Sequence, residues 1–102
     1  MNAAEEFNIG LAHELLATAM ADREVLVWRD RRLTYGQLAE RSRRLATYLH
    51  RAGLGAHRER SELASHESGQ DHIALYLHNG TEYVEGMLAA FKSRCVSINV
   101  NY

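Results

Sequence analysis

The stretch that decides the fold is LTYGQLAERSRRLATYLHRAGLG, residues 33–55. Thr34 is well placed as an N-cap, because its hydroxyl can accept a hydrogen bond from the backbone N–H of Gln37. The Gln37 side chain can in turn accept from the backbone N–H of Thr34, which completes a capping box. Leu33 and Leu38 lie at the spacing of a hydrophobic staple across this cap. The pattern predicts an amphipathic helix that begins at Thr34.

One apolar stripe runs along this central helix, and charged residues occupy its other faces. Glu40 can pair with Arg44 one turn further on. Gly53 favours the left-handed backbone with which many helices end. The stripe is made of Leu38, Ser42, Leu45, Ala46, Leu49 and Ala52, which recur with helical period.

Composition limits the classes of function that the chain can have. Its 102 residues suffice for one small domain, and its hydrophobic content of 46% and charged content of 25% are those of a globular protein. The formal net charge is −1, so the chain as a whole has no electrostatic attraction to nucleic acid. Nine of the twelve basic residues lie between Arg29 and Arg60, but no aromatic and basic motif accompanies them. We therefore expect no nucleic-acid partner.

The cysteine count and the hydropathy pattern predict a cytoplasmic protein. Cys95 is the only cysteine, so a disulfide within the chain is impossible, which fits a reducing compartment. A free cysteine in an apolar run is more often a buried small hydrophobe than a nucleophile. No apolar stretch approaches the ~20 residues of a membrane span. The N-terminus lacks the pattern of a signal peptide.

The chain on the N-terminal side of the central helix predicts a helix and a β-hairpin. Residues 1–8 are a polar lead that we expect to be frayed. Residues 9–20 form a helix capped by Asn8, with a stripe of Ile9, Ala12, Leu16 and Ala19 that is widened by Leu11, Leu15 and Met20. Residues 25–28 form a strand, and Arg29–Arg32 form a polar turn. Trp28 is expected to cover part of the core.

The C-terminal half predicts a βαβ unit. Residues 55–71 are polar and predict a mobile loop, with at most weak helical character from Ser61 to His66. Residues 72–77 are continuously apolar, as in a parallel strand covered on both faces. A helix over 81–93 follows, with Asn79 as its cap, and a strand over 95–101 completes the unit. The two strands should be parallel with a right-handed crossover, and the central helix should cover part of the same sheet.

The predicted fold class is therefore α/β, with the order helix, β-hairpin, helix and parallel βαβ unit. Two parallel strands do not form a stable sheet in water, and their outer strand would expose an edge. We expect the chain to be an incomplete N-terminal portion of a larger α/β domain. By itself it should pack loosely and associate through its open edge.

No motif in the chain predicts chemistry. It contains neither GxxxxGK[ST] nor GxGxxG nor GxSxG. The histidines at 57, 66, 72 and 78 match no zinc spacing. The turn Asn79-Gly80-Thr81 precedes a helix, where an anion can bind, but it has one glycine and no lysine, so a turn with a helix cap is the better interpretation. We assign no catalytic, cofactor-binding or metal-binding residue.

The ordered set of these patterns resembles the N-terminal region of AMP-forming acyl-CoA synthetases, in the adenylate-forming superfamily. The shared features are a hairpin ending in LTY, a helix with LAxxL, a glycine stop, a buried strand, NxxE, a helix ending near FK, and a strand ending in Asn. The ending INVNY is more similar to fatty-acyl and steroid-acid CoA ligases than to peptide synthetases. Three departures stand out: residues 56–71 contain a loop insertion, His78 replaces a common proline, and Arg94 replaces a common glycine. If position 94 needs a left-handed backbone, its arginine costs about 1 kcal/mol.

The resemblance implies a two-step ligase. A carboxylate attacks the α-phosphate of ATP to form an acyl-adenylate, and the thiol of coenzyme A then displaces AMP. In that family the phosphate loop, the Mg²⁺ site and the catalytic lysine lie downstream of this segment. The resemblance therefore implies that ATP, Mg²⁺ and coenzyme A serve the full-length enzyme, that this segment binds none of them, and that it is inactive alone. The remainder of the ligase domain would be its partner. The alternative is a free-standing interaction module that uses the open edge of strand 96–100 or the Arg-rich helix.

Overall fold

The computed structural model describes residues 8–100. The predicted polar lead, apart from Asn8, lies outside the described residues. The elements, in chain order, are α1 (Ile9–Ala19), β1 (Glu24–Trp28), β2 (Arg31–Thr34), α2 (Tyr35–Arg51), a 3-10 turn (Arg60–Glu62), β3 (His72–Leu75), α3 (Thr81–Lys92) and β4 (Val96–Asn99). This order confirms the predicted α/β class.

The capping box at the start of α2 is formed as the sequence predicts. The Gln37 backbone N–H donates to Thr34 Oγ1 at 3.1 Å, and the Thr34 N–H donates to Gln37 Oε1 at 2.8 Å. Arg44 donates to Glu40 at 2.7 Å on the exposed side. The helix ends before Gly53, whose φ of +86° is the left-handed conformation that glycine adopts without strain.

The core lies between α2, the hairpin and α3. One cluster of buried side chains joins Leu33, Leu38 and Leu88, and a second joins Ala46, Leu49 and Ala89. Ile73 of β3 packs against the second cluster, so α2 does contribute to covering the β3–β4 sheet. Ser42 is buried with these residues, but Leu45 and Ala52 are exposed, contrary to the predicted stripe. The buried side of α2 is therefore narrower than the apolar pattern predicts.

The hairpin has a shorter turn than the sequence predicted. Strands β1 and β2 are antiparallel with Trp28 opposite Arg31, so only Arg29 and Asp30 form the turn. Arg29 has a φ of +57°, since tight hairpin turns need positive φ. Trp28, which was expected to cover part of the core, is 37% exposed and is not among the side chains packed on the two core clusters. The Arg29 guanidinium lies 5.2 Å from the centre of its ring.

Helix α1 packs the opposite way round from its apolar pattern. Asn8 caps it as predicted, with its side-chain oxygen 2.8 Å from the Leu11 nitrogen. However, the residues that α1 buries are Gly10, His13 and Ala17. The large side chains of the predicted stripe are exposed: Ile9, Leu11, Leu15 and Leu16. The cause is a polar cluster under α1, described below, which holds its polar side inward.

The C-terminal half forms the predicted parallel βαβ unit. Strands β3 and β4 pair in parallel from His72 opposite Val96 to Leu75 opposite Asn99. Leu75 is buried, but Ala74 is exposed, so among residues 8–100 only one face of β3 is covered, and the prediction of two covered faces is wrong here. Gly80, not Asn79, is the N-cap of α3, and it makes no side-chain cap bond.

The segment 56–71 is fastened at both ends and in the middle. Ala56 forms an antiparallel bridge with Gln70, and Arg94 makes two hydrogen bonds to Glu59, each of 3.0 Å. The weak helical character expected from Ser61 to His66 is limited to the 3-10 turn at Arg60–Glu62. Arg94 has a φ of +63°, which confirms that this position takes a left-handed backbone.

Candidate functional site

The turn before α3, which the sequence offered as a weak anion site, is occupied by a carboxylate of the chain itself. Thr81 is fully buried, and its hydroxyl donates to Glu82 Oε2 at 3.2 Å. The same Glu82 oxygen lies 3.1 Å from the Arg31 guanidinium. An anion at this helix start would meet the negative charge of Glu82, so the geometry favours the turn-and-cap interpretation over a ligand site.

The histidines that the sequence singled out do not converge. Within residues 8–100, no three His, Cys, Asp or Glu side chains lie close enough together to hold a metal ion. His57 Nε2 lies 2.6 Å from Asp71 Oδ2. The backbone N–H of Gly55 and the His57 ring both donate to that carboxylate and lower the pKa of Asp71. Cys95 is buried and free, as expected of a small hydrophobe.

The most concentrated polar chemistry lies at the junction of the three helices, in a cluster that is buried at His13, Ser42 and Lys92 and open to solvent at Arg43. We call it the Lys92 cluster: His13, Glu14, Ser42, Arg43 and Lys92. Lys92 Nζ lies 2.8 Å from Glu14 Oε1, 2.7 Å from Ser42 Oγ and 3.0 Å from His13 Nδ1. Its side chain is only 7% exposed. Arg43 also donates to Glu14, at 3.1 and 3.3 Å. One carboxylate thus pairs with two cations and joins α1 to α2 and α3.

Burial and charge shift the pKa values in this cluster. Burial lowers the pKa of the Lys92 ammonium, although Glu14 opposes the shift. Burial and the neighbouring Lys92 charge lower the pKa of His13. Burial alone would raise the pKa of Glu14, but the hydrogen bonds from Arg43 and Lys92 outweigh it, so that pKa is lowered. The cluster therefore holds an ionised Glu14 and a neutral His13 at pH 7.

The state of His13 follows from its neighbours. Because Lys92 donates to Nδ1, the ring proton must lie on Nε2. Nε2 is buried and has no hydrogen-bond partner among the described residues. The ring stacks on Tyr35, with 6.1 Å between the ring centres. This geometry keeps the imidazole in one orientation under α1.

An open groove of about 520 Å³ lies beside the Lys92 cluster. It follows the seam between α1 and α2 and reaches the end of α3. The Glu14 side chain lines this groove and is 30% exposed. Solvent therefore reaches the carboxylate end of its ion pair with the buried Lys92. Its walls are formed by Asn8, Gly10, Leu11, Glu14, Arg43, Ala46, Thr47, His50, Lys92, Ser93 and Arg94.

A second ion pair joins α2 to α3 on the other side of the core. Arg41 donates to both oxygens of Glu85, at 2.8 and 3.2 Å, and Glu85 is buried. Hydrogen bonding to Glu85 and its charge raise the pKa of Arg41. Two arginines of the Arg-rich helix, Arg41 and Arg43, are thus used within the fold.

Two apolar surfaces remain uncovered by residues 8–100. The first is the outer face of the β3–β4 sheet, where Ala74 pairs with Ile98 and both are exposed. Tyr76, which continues this face beyond β3, is 65% exposed. The second is the outer side of α1. Because contiguous exposed apolar surface often marks an interaction site, these two surfaces are the candidate docking sites of the described chain. Separately, none of the described helices is long and apolar enough to cross a membrane.

Comparison with known proteins assigns the class. Residues 14–102 match the family described as AMP-binding enzyme, and the chain belongs to that family. The match covers most of the chain, and the fold agrees with the N-terminal subdomains of adenylation enzymes.

Two of the relatives that the chain resembles are CoA ligases. The chain is 50% identical over 96 residues to the medium-chain acyl-CoA ligase Mig of Mycobacterium avium, which covers 94% of this chain and 18% of Mig. It is 40% identical over 97 residues to a 3-oxocholest-4-en-26-oate–CoA ligase of Rhodococcus rhodochrous, covering 95% of this chain and 14% of that protein. The chain thus corresponds to an N-terminal part of an AMP-forming acyl-CoA ligase and spans less than a fifth of the length of these relatives.

Solved structures of two N-terminal domains share this fold. The N-terminal domain of FACL13 from Mycobacterium tuberculosis superimposes with a TM-score of 0.73 at 25% identity, over 93% of this chain and 21% of that one. The N-terminal subdomain of NpsA from Klebsiella oxytoca gives 0.73 and 25%, over 91% and 21%.

The sequence reasoning missed the Lys92 cluster and the inverted packing of α1. Gly10, His13 and Ala17 recur at the spacing i, i+3, i+7, which is itself a helical face. This second face of small and polar residues was the signal in the sequence that α1 could pack by its less apolar side. The partner of that face, Lys92, lies 79 residues further along the chain from His13, and no local pattern identifies it.

Proposed function

We propose that this chain is a structural N-terminal part of an AMP-forming acid–CoA ligase. The whole enzyme would use ATP and Mg²⁺ to convert a carboxylic acid into an acyl-adenylate, and coenzyme A would then displace AMP. The observation that carries this proposal is the 50% identity over 96 residues to a medium-chain acyl-CoA ligase. The same relatives suggest that a fatty or steroid-type acid is the substrate.

In this proposal the chain supplies framework and no catalytic group. Two ion pairs with a buried member are formed within the fold: Lys92 with Glu14, and Arg41 with Glu85. Paired groups of this kind hold helices in position. We infer that the 102-residue chain by itself does not activate acids, and that it acts in the cytoplasm.

We also propose that residues 1–102 form the beginning of the ligase large domain, with 56–71 as an insertion in it. The ends of that segment support this view. The Asp71 backbone N–H donates to the Gly55 carbonyl at 2.9 Å, and Ala56 pairs with Gln70. A loop whose ends are this close can be lengthened with little effect on the rest of the fold, since closure entropy grows slowly with length.

The alternative function is a free-standing interaction module. The two-stranded β3–β4 sheet favours it, because each strand has an unpaired edge within the described residues and exposed edges recruit further strands. The Arg-rich helix gives this alternative less support, because Glu85 and Glu14 already engage Arg41 and Arg43.

The test is acid-dependent release of pyrophosphate in the presence of ATP, Mg²⁺, coenzyme A and a medium-chain acid. The purified chain should release none above a protein-free blank. A chimera of Mig, in which this chain replaces the 96 matching residues, should show acid-dependent release. Activity of the chain alone would refute the framework role, as would a folded but inactive chimera. A stable homo-oligomer of the chain in sedimentation, together with an inactive chimera, would favour the interaction module.

A further inference from the structure

The outer side of α1 carries four large apolar residues that are 43–64% exposed. Leu15 is 64% exposed and Ile9 is 59% exposed, and Leu11 and Leu16 lie beside them. We call these four residues the α1 patch. A surface helix normally turns its apolar stripe toward the core, so an outward stripe on a helix that packs by its polar side requires a partner outside the described residues.

The orientation of α1 is fixed, so the patch cannot turn inward. Glu14 on the inner side receives hydrogen bonds from Lys92 and Arg43. Gly10 packs so closely on α3 that a Cβ at this position would lie 2.8 Å from Lys92 Cγ. Rotating α1 to bury Leu15 would expose the neutral His13 and leave the buried Lys92 ammonium without its carboxylate, which is strongly unfavourable.

Three occupants could cover the α1 patch. A lipid surface fits poorly, because α1 contains no lysine or arginine, whereas helices that lie on membranes are rich in them. A second copy also fits poorly. An 11-residue helix is only about 16 Å long, and a pair of such helices falls short of the ~1,200 Å² of a stable interface. The third occupant is further ligase polypeptide. The chain spans 18% of Mig, so more than four fifths of such an enzyme lies outside it.

We propose that the α1 patch is a docking surface for the remaining polypeptide of the acyl-CoA ligase, an inference that rests on the proposed function. The matching surface on that polypeptide is aliphatic at its centre, to receive Leu15 and Leu16. On the side of Arg43 it carries acidic or carbonyl groups, because Arg43 is 59% exposed despite its pair with Glu14. Docking there buries the apolar side of α1 without disturbing the Lys92 cluster beneath it.

The test measures thiol labelling at position 15 in the isolated chain and in the Mig chimera. Cys95 is first replaced, Cys95→Ala, so that the introduced thiol is the only one in the chain. Leu15→Cys and the control Ser65→Cys, in the exposed 56–71 segment, are labelled with iodoacetamide and quantified on their peptides by mass spectrometry. Leu15→Cys should label at least tenfold more slowly in the chimera than in the isolated chain, and Ser65→Cys equally in both.

Each other result has a defined meaning. Equal labelling of Leu15→Cys in the two proteins overturns the docking proposal, whether or not the chimera is active. Protection that appears in the isolated chain at high concentration assigns the patch to a second copy, and protection by phosphatidylglycerol vesicles assigns it to a membrane; either result overturns the proposal. Acid-dependent pyrophosphate release by the chimera is scored separately. A protected Leu15→Cys in an inactive chimera would refute the ligase function and leave the docking surface standing.

Discussion

Removing Glu14 from its ion pair with Lys92 should cost more folding stability than removing Lys92. Lys92 is 7% exposed, and its ammonium makes its contacts inside the three-helix junction, to Glu14, Ser42 and His13. Glu14 is 30% exposed and also binds Arg43. Glu14→Gln therefore leaves a buried cation without a counter-charge, whereas Lys92→Met leaves a carboxylate that keeps both a partner and solvent.

The expected magnitudes follow from this difference. Removing one partner of a buried ion pair costs about 3–5 kcal/mol. Because the amide oxygen introduced by Glu14→Gln still accepts a hydrogen bond and the groove admits solvent, we expect the lower end of that range, about 3 kcal/mol. Lys92→Met removes the ammonium's hydrogen bonds to Glu14, Ser42 and His13. It also removes the ammonium's own desolvation cost, which offsets much of that loss. We expect a loss of about 1.5 kcal/mol for Lys92→Met, and a double variant more stable than Glu14→Gln alone.

Urea unfolding of the 102-residue chain at pH 7, followed by far-ultraviolet circular dichroism, measures these differences. With a slope of about 1 kcal/mol per molar urea, the midpoints of the two single variants should differ by about 1.5 M. Glu40→Gln is the matched control, since its pair with Arg44 lies on the exposed side of α2 and should change stability by less than about 0.5 kcal/mol. The explanation is wrong if Lys92→Met lowers the free energy of unfolding as much as Glu14→Gln does. It is also wrong if the loss in the double variant equals the sum of the two single losses.

Three further predictions concern single positions. The pKa of His13 is lowered in the folded chain, so the unfolded chain binds a proton at His13 more readily than the folded chain does. Stability should therefore fall as the pH drops from about 7 to about 5. Urea midpoints should show this fall, and His13→Gln should reduce it. Thr34→Ala removes half of the capping box and should lower the free energy of unfolding by about 1 kcal/mol. Thr47→Ala, on the exposed side of α2, is the control and should cost less. Equal losses would contradict a capping role for Thr34. Arg94→Gly relieves a φ of +63°, which favours the variant by about 1 kcal/mol, and it loses an exposed ion pair with Glu59. Because exposed ion pairs contribute little to stability, the urea midpoint should stay equal or rise. A fall in the midpoint would refute the strain.

Much of this fold could be predicted from the sequence, because it depends on interactions between near neighbours. The capping box between Thr34 and Gln37 closes over three residues. The left-handed stop at Gly53 and the strained position of Arg94 are also local properties of the backbone. The parallel pairing of β3 and β4 follows from the length of the intervening helix. The absence of catalytic motifs remains a statement about sequence patterns.

Two of the errors concern the turns at the ends of elements. Trp28 has the apolar bulk of a core residue, yet the two-residue turn places it beside Arg29 at the end of the hairpin. Asn79 is a good capping residue by type, but the cap position falls one residue later, at Gly80. In each case the sequence identified the correct element but not the geometry of the turn at its end.

Helix α1 shows why hydrophobic periodicity identifies a face but not its partner. The apolar stripe of Ile9 and Leu16 and the polar side of His13 are both present in its 11 residues, and the pattern alone favours burying the stripe. A buried Lys92 ammonium needs a carboxylate, and Glu14 can supply it only if the polar side of α1 faces inward. Full burial of one leucine is worth about 2 kcal/mol, so outward leucines are a substantial loss unless another surface covers them. The Lys92 cluster thus fixes which side of α1 faces inward, and the leucines that it turns outward are those that a larger ligase domain would cover.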